Sequence, residues 1–206
     1  NIYSLTTNNL IFCIWDGCLM GGGVGFAVNC PIRISTANTI FSMPETSIGL
    51  FPDVGMGYLF PKMFNGNLSV GLYLGLTGAK VKNIDCVKSG ISTHHINSKD
   101  IPELIKKIKN KSKIINNYED LYLIIGEFCV KKFLEENFFF ENLEIINNIF
   151  ICDSLKNIYI RLEYEINNIN SMIKNKKLFS MFEDELIAKK KFLDNIIKSL
   201  GTCSPL

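Results

Sequence analysis

The chain has 206 residues, 47% of them hydrophobic, with a net charge of +2 and a pI of about 8.1. That is enough apolar material for one or two domains, and too little charge to specify a nucleic-acid or membrane surface. Seven cysteines, at 13, 18, 30, 86, 129, 152 and 203, include no Cys-x-x-Cys pair, so neither a disulfide framework nor a zinc site is supported. Several sit in apolar surroundings and read as reduced core residues of a protein in a reducing compartment.

Residues 9–15 are β-branched and aromatic and predict a buried strand. The apolar run 10–30 raises the question of a membrane span, but Asp16, the Asp16-Gly17 turn signal and the glycines beyond it argue against one. It is read instead as strand, turn and buried helix, the helix over 21–30. Residues 32–35 and 39–42 predict two short strands. Pro44 then interrupts, and 45–56 reads as a glycine- and proline-punctuated loop. Short helices are expected at 57–63 and 82–88, and an amphipathic helix at 67–76 that ends near Gly78. A closing strand is expected at 91–96 after Gly90.

Composition shifts after residue 97. Residues 101–200 are rich in Asn, Ile, Lys, Glu and Phe, with helical periodicity and only Gly126 to interrupt it. The expected division is therefore a core at 1–97 and a helical region of five or six helices at 98–206. The lysines at 106–113 and 189–191 read as solvated helix faces, and Phe138 to Phe140 as packing residues. No signal peptide is visible, and the ragged ends are those expected of a fragment.

Chemistry concentrates between residues 15 and 61. A helix starting at Gly21-Gly22-Gly23 leaves its first N–H groups without acceptors, and those donors favour negative charge. An oxyanion formed there would gain about 3 kcal/mol per donor. A glycine-lined helix–strand contact without a ligand fits the glycines equally well. The sequence is neither a Rossmann fingerprint nor a P-loop. Glu45 and Asp53 follow as isolated acids eight residues apart. One acid of such a pair can act as base or nucleophile and the other orient water. Turn-forming roles for both fit too. His94 and His95 have no nucleophile-elbow partner and read as structural.

Taken together, Asp-Gly-x-x-Met-Gly-Gly-Gly-Val-Gly from Asp16 and Phe-x-Met-Pro-Glu-Thr-x-Ile-Gly-Leu-Phe-Pro-Asp-Val-Gly-x-Gly-Tyr from Phe41 resemble the crotonase (enoyl-CoA hydratase/isomerase) superfamily. Leu76-Thr77-Gly78 and Gly90-Ile91-x-Thr93-His94 continue the likeness, and Ser204-Pro205 matches a late Ser-Pro. Strong similarity spans about residues 15–96. The resemblance implies an α/β fold with a spiral ββα core, incomplete at the N-terminus, and a helical C-terminal region.

Hydratases of the superfamily carry Glu two residues after the glycine triplet and Gly where Asp53 stands. Here the first place is Gly25. The departure points to the branch that hydrolyses short branched 3-hydroxyacyl-CoA thioesters in valine catabolism. By resemblance, Gly22 supplies an oxyanion N–H within the Gly21–Gly23 turn, Glu45 is the catalytic carboxylate and Asp53 assists. CoA is part of the substrate, so no separate cofactor and no metal is expected. The resemblance places the second oxyanion donor and much of the CoA pocket in an N-terminal segment, so these residues alone are expected to be nearly inactive. It also implies a mitochondrial location. The alternative is a non-catalytic component of the mitochondrial ribosome's small subunit, the one setting in which nucleic acid would be a neighbour.

Overall fold

The computed structural model describes residues 10–130, 141–152, 154–174 and 183–201. Residue 9, Phe138 to Phe140 and Ser204-Pro205, singled out above, lie outside them. Two small sheets are wound together by a repeated corner. Strand β1 (Phe12–Trp15) turns at Asp16-Gly17 into β2 (Cys18–Met20), and helix α1 (Gly22–Ala27) follows. The chain then repeats the step: β3 (Ile32–Ser35), a corner, and β4 (Ile40–Ser42). β3 lies parallel to β1, pairing Phe12 with Ile32 and Trp15 with Ser35, while β4 lies parallel to β2. β5 (Val81–Lys82) joins β4 antiparallel, and β6 (His94–His95) joins β3 parallel.

Alternation along β1 and β3 explains why both faces of their sheet are covered. Phe12, Ile14, Ile32 and Ile34 share one face and pack under α-helices with Leu104, Leu121, Ile124 and Ile125. Cys13 and Trp15 point the other way, into a larger core with Phe41, Met43 and Leu74. Trp15 stacks on Phe41 with ring centroids 6.5 Å apart.

Asp16 fastens the corners. Its Oδ1 accepts hydrogen bonds from Thr36 Oγ1 (2.7 Å) and Asn38 Nδ2 (3.0 Å), which belong to the next corner up the spiral. Its Oδ2 accepts from Ser98 Oγ at 2.7 Å, just beyond β6. One exposed carboxylate thus ties three successive turns of the chain.

The connecting helices are α2 (Met56–Leu59), α3 (Leu68–Thr77) and α4 (Asp85–Lys88). Asn67 caps α3 by accepting a hydrogen bond from Val70 N. Five helices follow among the described residues: α5 (Ile101–Lys111), α6 (Tyr118–Gly126), α7 (Leu143–Phe150), α8 (Leu155–Lys174) and α9 (Glu183–Gly201). α5 and α6 cover the outer face of the first sheet. α7, α8 and α9 share a core with α3, where the Tyr73 ring meets Phe150 edge-on at 5.4 Å and Phe192 at 5.9 Å. Lys107 pairs with Glu127, and Lys189 with Glu185, on otherwise solvated faces.

Four local expectations are corrected. Cys18–Met20 is a strand that the reading of 10–30 as strand, turn and helix omits. It has three residues and none is β-branched, so only its pairing with β4 reveals it. α3 is buried on most sides rather than amphipathic, because Gly71 and Gly75 lie against Phe60. Residues 82–88 divide into the end of β5 and the single turn α4. Of the expected strand at 91–96, only His94–His95 pair with β3, since the chain enters the ladder at Thr93, whose N–H donates to Arg33 O, and Ile96 adds an isolated antiparallel bridge to Cys129.

The corner carboxylate gives an acid-stability prediction. Hydrogen bonds from Ser98, then Thr36, and lastly Asn38 hold the Asp16 carboxyl below the ordinary aspartate range, outweighing the opposing effect of burial. A depressed value means that its contribution is present above the unfolded aspartate value of about 3.9 and is lost as pH falls through the lower folded value. Wild type should therefore be more stable than Asp16→Ala near neutrality, with the gap closing below about pH 4. Urea unfolding at stepped pH measures this, and a gap independent of pH would remove the ionic role.

Candidate active site

Two neighbouring turns of the spiral bring a helix tip and a carboxylate together. Gly21 precedes α1 with φ of +56°, in the region glycine alone enters at little cost. Gly22 and Gly23 then carry the first helical N–H groups, which have no acceptors within a helix. Both residues are exposed, and a Cβ at Gly22 would meet nothing within 4 Å, so the tip opens onto free space.

Glu45 begins a turn of 3-10 helix, Glu45–Ile48, where the sequence predicts a loop. Its side chain is 7% exposed, and Oε2 is buried without a hydrogen-bond partner among the described residues. Oε1 lies 3.5 Å from where a Cβ at Gly21 would be. The carboxylate therefore sits against the glycine turn that opens α1.

The position is held from behind. Gly78, at the C-terminus of α3 with φ of +62°, packs so closely that a Cβ there would lie 3.0 Å from Pro44 Cα. Ser42 Oγ donates to Gly78 O at 2.7 Å. In front, Leu50 N donates to Glu45 O at 3.0 Å and closes the turn.

Asp53 is exposed, and its side chain engages no partner among the described residues. Its carbonyl accepts from Met56 N at 2.8 Å, at the start of α2. The next residue, Val54, docks this turn on α1. An ideal Cβ on Gly25 would lie 2.4 Å from Val54 Cβ and 3.1 Å from Val54 O. Val54 itself adopts φ of +47°, costly for a β-branched side chain. Phe26, Ile48, Leu50, Phe51 and Tyr58, all more than half exposed, form an apolar surround on α1, the loop and α2. The Tyr58 ring carries Lys62 Nζ 3.6 Å from its centroid, and that ammonium draws the phenol below its ordinary range.

The remaining sequence candidates are placed elsewhere. His95 is buried, with Nδ1 3.0 Å from Ser35 Oγ, which in turn lies 2.9 Å from Ser92 Oγ. His94 lies against Tyr122, and burial first, then Arg33, pushes its imidazole below the ordinary range. Neither shares hydrogen bonds with Glu45. The residue missed by sequence reading is Val54, because nothing in its immediate sequence announces a left-handed conformation or a glycine notch opposite it.

A spiral of paired short strands thus sets a glycine-opened helix tip against a buried acid. The sequence matches the enoyl-CoA hydratase/isomerase description over residues 2–206, and the chain belongs to that family. It is 39% identical over 158 residues to 3-hydroxyisobutyryl-CoA hydrolase, mitochondrial, of Gallus gallus, a match covering 73% of this chain and 38% of that protein. A match of 46% identity over 93 residues joins it to small ribosomal subunit protein mS47 of Neurospora crassa, covering 45% of this chain and 18% of that protein. The crystal structure of a carnitinyl-CoA dehydratase from Mycobacterium thermoresistibile superposes with a TM-score of 0.60 at 26% identity, covering 73% of this chain and 41% of that one. The chain thus spans about two fifths of the length of the curated hydrolase it matches.

The Gly25–Val54 notch predicts strong coupling. Gly25→Ala should cost about 1–3 kcal/mol by forcing the 53–55 turn away from α1. Adding Val54→Gly should recover most of that loss, since it removes both the colliding methyl and the strained φ. Urea unfolding of the two single variants and the double variant measures the cycle. Additive costs would show that the two residues do not touch.

Proposed function

We propose that this chain carries the catalytic carboxylate of an acyl-CoA thioester hydrolase acting on a short branched 3-hydroxyacyl-CoA, with 3-hydroxyisobutyryl-CoA as substrate. The observation that carries the proposal is Glu45, a buried carboxylate with an unpartnered oxygen, against the open tip of α1. Burying an acid without a partner is costly, and folded chains keep such groups where chemistry uses them.

In the proposed reaction the thioester carbonyl oxygen lies at the Gly22 N–H. Attack on the carbonyl carbon moves the π electrons onto that oxygen, where the amide and the helix tip stabilise the anion. Glu45 serves either as nucleophile, giving a mixed anhydride that water then opens, or as the base that takes a proton from attacking water. Both routes expel the CoA thiolate and pass through an oxyanion at the same amide. Asp53 binds the substrate hydroxyl or the water from the exposed turn opposite. The apolar surround of Phe26, Ile48, Leu50 and Phe51 suits a branched acyl group. CoA leaves as product, so the reaction draws on no separate cofactor. The relatives' names support a mitochondrial setting for it.

The notch at Gly25 speaks against hydration of a double bond. That reaction uses a second acid two residues beyond the glycine triplet, and Val54 leaves no room for any side chain there. The match to mS47 supports a second reading, a ribosomal scaffold without chemistry. A scaffold gains nothing from an unpartnered buried carboxylate, which favours the enzyme.

In the full-length protein that carries this chain, Glu45→Gln should lower 3-hydroxyisobutyryl-CoA hydrolysis by ~10²–10⁴. The same change should raise stability by about 1 kcal/mol, because a neutral amide is cheaper to bury than an unpaired charge. Asp53→Asn should cost on the order of tenfold in rate, the worth of one hydrogen bond. Release of free thiol follows the reaction. Unchanged hydrolysis in Glu45→Gln would end the assignment, and co-sedimentation with ribosomal particles in place of hydrolysis would establish the scaffold.

A further inference from the structure

A second reactive cluster lies behind α1, away from the tip. Cys13 Sγ, on β1, is 2.8 Å from Cys30 Sγ, just past the end of α1. That is closer than two non-bonded sulfurs rest. Cys30 is buried and Cys13 half-buried, so the pair is reached from the Cys13 side. Arg33 anchors beside them, donating from Nη1 to Cys30 O at 2.9 Å and from Nε to Ile91 O at 2.7 Å. A guanidinium therefore stands on the Cys30 carbonyl, at the buried end of the pair.

We propose that Cys13 and Cys30 form an oxidation site that closes to a disulfide under a peroxide. The Cys13 sulfur, as thiolate, attacks one peroxide oxygen. The O–O bond breaks, and the departing hydroxide takes the thiol's proton to leave as water. Cys13 then carries S–OH. The Cys30 sulfur attacks it, the S–S bond forms and the S–O bond breaks, and a second water leaves with the Cys30 proton. Two thiols lose two electrons and two protons, and one peroxide becomes two waters.

The bond would close a covalent loop between residues 17 apart, which contains the Asp16 corner, β2, the Gly21–Gly23 turn and all of α1. A cross-link of that span narrows the unfolded ensemble and fastens the helix that presents the Gly22 amide. Reaction is slow near neutrality. Burial first, then the hydrogen bond and charge of Cys30, push the Cys13 thiol up to about 12, so little thiolate exists at pH 7. Below that value each unit of pH raises the thiolate fraction tenfold. The site is thus a slow two-electron trap that deepens in alkaline conditions, and it is independent of the thioester reading.

The test treats the folded protein with hydrogen peroxide at pH 7, 8 and 9 and maps disulfides by mass spectrometry without reduction. The expected result is one link joining Cys13 to Cys30, with a mass loss of two hydrogens. Its rate should rise about tenfold per pH unit. The linked protein should melt on the order of 5–10 °C higher than the reduced form, and dithiothreitol should reverse the shift. Trp15, the only tryptophan, follows Cys13 by two residues on the same face of β1 and should lose fluorescence as the link forms. Cys13→Ser and Cys30→Ser should each abolish the link, while Cys18→Ser, at an exposed thiol, should keep it. A link to another cysteine, stable sulfinic acid at Cys13, or a rate flat in pH would overturn the proposal. The wild-type comparison stands alone should either serine variant fail to fold.

Discussion

A carboxylate buried without a partner is the constraint on which this structure turns. An unpartnered buried acid costs stability, yet several features hold Glu45 there. Gly78 is left-handed so that α3 can end against Pro44, and Ser42 fastens the Gly78 carbonyl. The 3-10 turn is closed by Leu50 N on Glu45 O. Each of these contacts places the acid, and none neutralises it. Its charge is left facing the α1 end that favours negative charge, through the glycine turn rather than through a salt bridge.

That placement depends on how the spiral is stacked. β1 and β3 pair in parallel, and β2 and β4 pair in parallel, so each corner lies above the previous one. α1 leaves the lower step after β2, and the Glu45 turn leaves the upper step after β4. The two segments exit on the same side because the strands before them are in register, Met20 opposite Ser42. Asp16 fixes the rise between steps from the outer edge, and Trp15 against Phe41 fixes it from within. A slip of one residue in β4 would turn Phe41 outward and carry Glu45 away from Gly21 together.

Much of this was legible in the residues. Isolated acids in a glycine- and proline-rich stretch marked Glu45 and Asp53, and the glycine triplet marked the helix tip. Ile32–Ser35 was readable as a strand because it is short, β-branched and bounded by Pro31 and Thr36. The rest depends on partners far along the chain. Cys18–Met20 is a strand only beside β4, and α3 is buried because α7 and α9 cover what would be its solvent face. Cys13 and Cys30 looked like separate core cysteines until the turn between β1 and α1 brought their sulfurs together. In each case a local pattern was overridden by a contact that periodicity does not encode.

On the proposed reading, the notch between Gly25 and Val54 is a packing contact that selects chemistry. A glycine opposite a strained valine looks like a packing detail, and its cost, a left-handed β-branched residue, is paid inside the loop that carries Asp53. What the contact achieves is spatial. It leaves no room for a side chain at Gly25, and it packs the Asp53 turn onto α1. On the proposed reading, that pair of residues removes an acid from the helix and offers Asp53 from the loop. On the proposed reading, therefore, the oxyanion end of the site is common to the fold, and the choice between adding water to a double bond and to a thioester lies in which element brings the second carboxylate.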